Sequence, residues 1–332
     1  MAALETTALI KLNNWSLITV TGPDATDFLQ NQLTNNVKSL KITQAGEISK
    51  AHEQHRFAGY CSAKGRLQAS FWISRLEIQL ESGEIVPEYR MLVSKDLATF
   101  ISKRLTMFVL RSKVKIIDQT TAYKIYGLSH LNDITALQKI SSLESTQVAE
   151  LPSVKTSQAD FQRHIICVPE TSALNIEELF SHQSPPNASG IWDWLEVMSG
   201  IPRITERTLE QFVPQMVNME SLHGIDFKKG CYPGQEIVAR SQYRGTIKRR
   251  LQIASVITNE IPNPGTEIFH IEDSEQPCGM VVLAAKDPIS SNQIHLQVEC
   301  KLEALTQGHI YLGSAQGPTL KVDQLPYDLI EI

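Results

Sequence analysis

Beyond residue 250 the chain breaks into short apolar runs of strand length, at residues 251–253, 267–271, 279–283, 293–298 and 309–312. Turn-forming residues, Asn263-Pro264-Gly265 among them, separate the runs. Several strands at this spacing predict a small sandwich or barrel. The texture changes near residue 246, which sets an expected division into residues 1–245 and residues 246–332. A chain of 332 residues also exceeds the roughly 250–300 residues at which a single core stops growing, so two or three units are expected on size alone.

The region before that point reads as mixed α and β. Trp15-Ser16-Leu17-Ile18-Thr19-Val20 alternates like a half-buried strand, and Gly22-Pro23 then breaks it. Pro23 suits the first turn of a helix, on which Phe28, Leu29, Gln32 and Leu33 share a face. Residues 56–61 and 67–73 read as a hairpin around Ser62-Ala63-Lys64-Gly65-Arg66. Met91-Leu92-Val93 predicts another strand, and residues 97–108 an amphipathic helix. Strands and helices alternate from Lys113 to Val168. The run from Ser181 to Gly190 is too turn-rich for a long helix, and residues 191–198 predict a short one closed by Gly200 and Pro202.

Composition is that of an ordinary globular protein, 42% hydrophobic and 20% charged, with a net charge of −5 that argues against a nucleic-acid-coated protein. Cys61, Cys167, Cys231, Cys278 and Cys300 are odd in number and form no CxxC pair, which fits a reducing compartment. No secretory leader and no apolar stretch of about 18 residues is visible, so the expected location is the cytoplasm, with no membrane contact.

One segment joins charge, turn chemistry and a nucleophile. Lys228, Lys229, Arg240, Arg244, Lys248, Arg249 and Arg250 surround Cys231, with only Glu236 opposing them, while Gly230, Pro233 and Gly234 allow a sharp turn at the sulfur. A positive field favours the reactive thiolate, and a helix starting at Gln235 would add its positive end. The plain alternative is a buried thiol in a glycine-rich turn. The basic run reads either as a phosphate or polycarboxylate site or as a solvated edge. No aromatic series interleaves with it, which weakens a claim to single-strand binding. His52-Glu53-Gln54-His55 lacks a third ligand at an informative spacing, so no metal site is expected. Lys64 reads as a loop lysine. Trp15 and Trp192 read as core aromatics or as flat platforms for a ligand ring. No GxGxxG or Walker loop is present.

The run Phe227-Lys228-Lys229-Gly230-Cys231-Tyr232-Pro233-Gly234-Gln235-Glu236-Ile237-Val238-Ala239-Arg240 resembles the signature of the YgfZ family, folate-binding proteins related to the tetrahydrofolate-dependent T-protein (aminomethyltransferase) of the glycine cleavage system. Trp15, Val20-Thr21-Gly22-Pro23-Asp24-Ala25, Ala63-Lys64-Gly65-Arg66, the stretch from Trp192 to Pro202, Phe212-Val213-Pro214-Gln215 and Leu325-Pro326-Tyr327 extend the likeness along the chain. It implies an α+β, three-lobed T-protein-like fold: two interleaved α/β subdomains and a C-terminal β-barrel around a central opening that accepts folate, as tetrahydrofolate or a derivative. It also implies a monomer that supports synthesis or repair of iron–sulfur clusters in client enzymes, including those that methylthiolate tRNA; direct tRNA binding is not expected, since the chain is acidic overall. Trp15 and Trp192 match the family's folate positions, Cys231 its characteristic thiol. Lys64 and Arg240 are expected to meet the glutamate tail.

The sequence departs from the T-protein where that enzyme carries a pair of aspartates after its glycine turn. Ala69 and Ser70 stand there instead, and neither is an acid or base near neutral pH. Glycine-cleavage chemistry is therefore disfavoured. A folate-dependent one-carbon transferase acting on another acceptor is the alternative to the accessory role, so whether the chain is an enzyme stays open at this point.

Overall fold

The computed structural model describes residues 8–129, 134–156, 160–180, 188–290 and 292–330. The chain opens with β1 (Ala8–Lys11) and β2 (Trp15–Thr21), then α1 (Ala25–Gln30) and β3 (Ile48–Ser49). The hairpin strands β4 (His55–Cys61) and β5 (Leu67–Gln79) follow, then β6 (Ile85–Ser94) and α2 (Lys95–Thr106). Next come β7 (Lys115–Asp118), β8 (Tyr123–Ser129), α3 (Ile134–Ser141), β9 (Gln147–Lys155) and β10 (Asp160–Pro169). Three helices, α4 (Ala173–Leu179), α5 (Ala188–Met198) and α6 (Gln235–Tyr243), lead to the C-terminal strands. Of the turn-rich run expected at 181–190, residues 181–187 lie outside the described residues, and its last three begin α5.

Two five-stranded sheets share this first part, ordered β1-β8-β10-β9-β3 and β4-β5-β6-β2-β7. All their pairings are antiparallel except β3 with β9. The chain alternates between the sheets, β1 in one, β2 in the other, β3 back in the first, so the two subdomains are interleaved rather than consecutive. Apolar residues decide the faces. On α2, Leu97, Ala98, Ile101 and Leu105 are buried at helical spacing, while Asp96 in its first turn and Lys103 and Arg104 in its last complement the helix dipole.

The remaining strands are β11 (Arg249–Ile257), β12 (Glu267–His270), β13 (Asp273–Lys286), β14 (Gln293–Lys301), β15 (Ile310–Leu312) and β16 (Thr319–Asp323). They close into a barrel in the order β11-β14-β13-β12-β15-β16, with β16 pairing back onto β11. Closure leaves no edge strand open to other chains. The barrel is fastened to α5, because Gln297 donates through Nε2 to the carbonyls of Glu196 and Val197 at 3.0 Å each. Helix α5 buries Ile191, Trp192, Trp194, Leu195 and Val197, as expected of a helix with sheet on one side and barrel on the other. Among the described residues no helix is long and apolar enough to cross a membrane.

Candidate functional site

Of the five cysteines only Cys231 is exposed, and two contacts hold its turn in place. The first is Lys229. Its ammonium is buried and donates to the carbonyl of Gln30 at 2.6 Å and to that of Leu33, while lying 5.2 Å from the centre of the Tyr232 ring. The two lysines before the turn differ: Lys228 is exposed, and Lys229 is a clamp onto the end of α1. Burial lowers the Lys229 pKa to about 8, against the pull of Asp226, which raises it. Unfolded, the amine keeps its proton until about pH 10.4. Between those values the unfolded chain binds more protons than the folded one, so stability rises with pH in that window and is lost again as pH falls through about 8. Urea midpoints taken across this window are therefore expected to rise for the wild type relative to Lys229→Met. A constant difference between the two would count against a strained, buried ammonium.

The second contact is between two glycines. Gly234 caps α6 at φ 79°, and a Cβ there would stand 2.4 Å from the Ser62 carbonyl oxygen and 2.6 Å from Gly65 Cα. Ser62 in turn closes a β-turn by accepting the Gly65 N–H at 2.9 Å. The Ala63-Lys64-Gly65-Arg66 turn and the cysteine turn, distant in sequence, are thus pressed backbone to backbone. Lys64 and Arg240 are exposed beside this junction, and Arg240 reaches Glu236 at 3.2 Å one helical turn away. The seven cations do not all face the sulfur. Arg249 forks onto Glu299 at 2.9 and 2.8 Å, and Arg250 is buried against Glu220. With Lys229 these are structural, leaving Lys228, Arg240, Arg244 and Lys248 exposed.

Trp15 and Trp192 fall elsewhere, together. They line a cavity where the two sheets meet α5, with Phe57, Phe71 and Trp72 as further walls. Trp192 is only 1% exposed because Gly127 makes room for it; a Cβ at that position would stand 2.3 Å from the indole. Arg163 lies 6.0 Å over the same ring, donating to the Pro152 and Leu195 carbonyls, and burial lowers its pKa to about 10 despite Glu196. Arg203 sits 5.3 Å from the Trp15 ring and pairs with Glu196 at 2.7 Å. The indole N–H groups of Trp15 and Trp192 are buried and have no hydrogen-bond partner among the described residues. Ser70 bridges strand and loop, donating to the Pro202 carbonyl at 3.1 Å and accepting the Ile204 N–H at 3.0 Å, and Ala69 is buried.

The donors suit a flat heteroaromatic ring with ring acceptors, but the cavity measures about 20 Å³, room for about one water. Next to it, sharing Glu196 and Arg203, is a pocket of about 450 Å³ that Asn14, Asp96, Asp193 and Thr205 also line. That volume falls in the usual range for small-molecule sites, about 300–1,000 Å³. Burial, followed by the charge of Glu196, raises the Asp193 pKa to about 6. Asp193, Glu196, Arg163 and Arg203 are the polar residues that reading the sequence misses. The one signal was two acids three apart within the apolar run of α5.

No family model matches the chain. It is 29% identical over 330 residues to the tRNA-modifying protein YgfZ of Cronobacter sakazakii, spanning 97% of this chain and 94% of that one. To the tRNA-modifying protein YgfZ of Shigella sonnei it is 28% identical over 329 residues, with 97% and 94% covered. The likeness to YgfZ runs from end to end. Among solved structures, the glycine cleavage system aminomethyltransferase T of Bartonella henselae superposes with a TM-score of 0.64 at 15% identity, over 98% of this chain and 87% of that one. The fold is therefore T-protein-like, while the YgfZ likeness covers both the aromatic cavity and the cysteine turn.

The histidine pair noted in the sequence does not converge. His55 is buried, stacked on Trp72 with centroids 5.1 Å apart, and its Nδ1 pairs with the Ser74 hydroxyl at 2.7 Å. His52 is exposed. Among the described residues, no group of three or more His, Cys, Asp or Glu side chains is placed to hold a metal ion.

Proposed function

We propose that this chain is a cytoplasmic, folate-binding accessory protein that supports iron–sulfur clusters in selected enzymes, including those that methylthiolate tRNA. The end-to-end likeness to proteins named tRNA-modifying supports the tRNA connection. The observation that carries the reading is a T-protein-like fold with an aromatic, carboxylate-edged pocket but Ala69 and Ser70 in place of an acid pair. Binding chemistry is kept and the acid–base pair is gone.

In this reading the 450 Å³ pocket admits the pterin ring. Asp193, ionised above about pH 6, accepts its neighbouring N–H donors, while Trp15 and Trp192 line the small cavity that adjoins this pocket through Glu196 and Arg203. Folate, when bound, supplies the one-carbon and redox chemistry of its reduced ring. Glu196 is held by Arg203, which leaves Asp193 as the polar anchor. Lys64 and Arg240 remain the proposed contacts for the glutamate tail, and Cys231 the working thiol. Its exposure on a rigid turn is what a group meeting a client enzyme needs.

One paired experiment tests this. Tetrahydrofolate titrated into the purified protein is expected to quench tryptophan fluorescence saturably. Asp193→Asn should weaken binding by about 10- to 100-fold, the worth of a hydrogen bond to a charged group. In a strain lacking the protein, the wild type should restore iron–sulfur enzyme activities and Cys231→Ser should not. Absence of saturable quenching would remove folate from the reading, and full rescue by Cys231→Ser would remove the thiol.

A further inference from the structure

Beside the cysteine turn lies an open groove of about 660 Å³ that neither the folate reading nor the thiol uses. Tyr243, at the end of α6, forms one wall. Its ring is 70% exposed and meets Phe227 edge-on, with centroids 5.8 Å apart. His52 and His223 line it as well, and their rings meet at 5.5 Å and 88°.

Both histidines sit in the left-handed region, at φ 64° and 55°. Such conformations are uncommon for residues other than glycine and persist where neighbours enforce them. Here the enforcement is visible. Arg56 donates from Nε and Nη2 to the His52 carbonyl at 3.1 and 3.0 Å, with Nη1 on Asn36 and Ser39. Asn35 uses both amide hydrogens, on the carbonyls of Phe57 at 2.7 Å and His223 at 2.6 Å. The surroundings lock two backbones in a costly conformation and leave two imidazoles projecting into the groove. Among the described residues no hydrogen bond or ion pair engages either ring, and burial, together with His223 and Arg56, keeps the His52 pKa low, so that ring is neutral. A neutral imidazole both donates and accepts.

Cations complete the site. Lys228 lines the groove, is exposed, and among the described residues has no acidic partner for its ammonium, and exposed Arg244 and Lys248 follow Tyr243 along the chain. The one acid lining the groove, Asp226, accepts the Lys228 N–H at 2.8 Å and lies between the charges of Arg56 and Lys229. The aromatic series missing from the basic run itself is assembled here from three separate stretches of chain, which no local pattern displays.

We infer that this groove binds single-stranded RNA, with one unpaired base stacked on Tyr243, its edge met by His52 and His223, and flanking phosphates on Lys228, Arg244 and Lys248. Stacking on an aromatic wall needs a base free of its partner strand, which excludes a duplex from the groove. The inference is independent of folate binding, since none of these residues lines the folate pocket.

The test is fluorescence anisotropy with a labelled single-stranded RNA of about 12 nucleotides, titrated with the full chain between about 50 and 200 mM salt. Three phosphate contacts on a single strand predict a log–log salt slope of about −2. Tyr243→Ala should weaken binding by about 5- to 100-fold with the slope unchanged, and Lys228→Gln should make the slope shallower by about 0.7. Both residues are exposed, so the variants keep their fold. Undetectable binding at the lowest salt would overturn the inference. So would affinity unchanged in Tyr243→Ala, or equal affinity for the same sequence as a duplex. Asp193→Asn should leave RNA binding intact, which separates failure of the folate reading from failure of this one.

Discussion

Glu220→Ala is expected to cost about 3–5 kcal/mol of stability, because it leaves the buried Arg250 guanidinium without its counter-charge. Arg250 is the second residue of β11 in the barrel, and both side chains of the pair are almost fully buried. Its remaining partners, the carbonyls of Gln215 and Ile330 at 3.3 Å each, are neutral and at the limit of hydrogen-bond length. The pair is also a junction. Glu220 belongs to the loop in which Asn218 donates to the Leu251 carbonyl at 2.9 Å, and Tyr327 ties the C-terminal segment to the Gly200 carbonyl at 2.8 Å. The loss should therefore loosen the barrel against the sheets, lowering the melting temperature by roughly 5–15 °C. Replacing both partners, as Glu220→Met with Arg250→Met, should recover much of the loss, since no charge is then stranded. Arg240→Ala, which breaks an exposed pair in the same basic run, should move stability by less than about 1 kcal/mol. Melting curves of the four proteins decide the matter. If the double variant is no better than Glu220→Ala, shape rather than charge holds the junction.

That contrast marks where the sequence is readable. The barrel is legible because its strands alternate short apolar runs with turn residues, and five of its six strands lie where that pattern puts them. The sixth, β16, buries only Leu320, leaving its other residues at least partly exposed. A strand held mainly by its backbone ladder leaves little mark in composition. Interleaving of the two sheets was expected from the family resemblance and not from periodicity, because a strand's partners are set by pairings made far away. Lys228 and Lys229 show the same limit at one position. They are adjacent and chemically identical, yet one is in solvent and the other caps carbonyls at the end of α1. What separates them is where α1 ends at Gln30 and the chain carries the Leu33 carbonyl just beyond it, and no local window contains that fact. Trp192 is similar, since its seat is the missing side chain of Gly127 on β8. The glycine–proline turn did carry a local signal, and the structure does expose Cys231.

Two glycines of the same signature are expected to answer oppositely to the same change. At Gly230 a Cβ meets nothing within 4 Å, so Gly230→Ala should stay within about 0.5 kcal/mol of wild type. At Gly234 the backbone is left-handed, φ 79°, which costs a residue with a side chain about 1–2 kcal/mol. The new methyl would also stand 2.4 Å from the Ser62 carbonyl oxygen and 2.6 Å from Gly65 Cα. These are backbone atoms with no rotamer to yield, so overpacking adds about 1–3 kcal/mol. Gly234→Ala should therefore lose about 2–5 kcal/mol in all, or relieve the clash by parting the two turns. Parting them frays the start of α6, where the N–H groups of Ile237 and Val238 both rest on the Gly234 carbonyl at 3.2 Å. The thiol reports which occurs. Labelling of Cys231 should be faster in Gly234→Ala than in wild type, and unchanged in Gly230→Ala. Equal effects at the two positions would mean that the turn works through chain flexibility, and that the contact between the lysine turn and the cysteine turn does not hold the thiol in place.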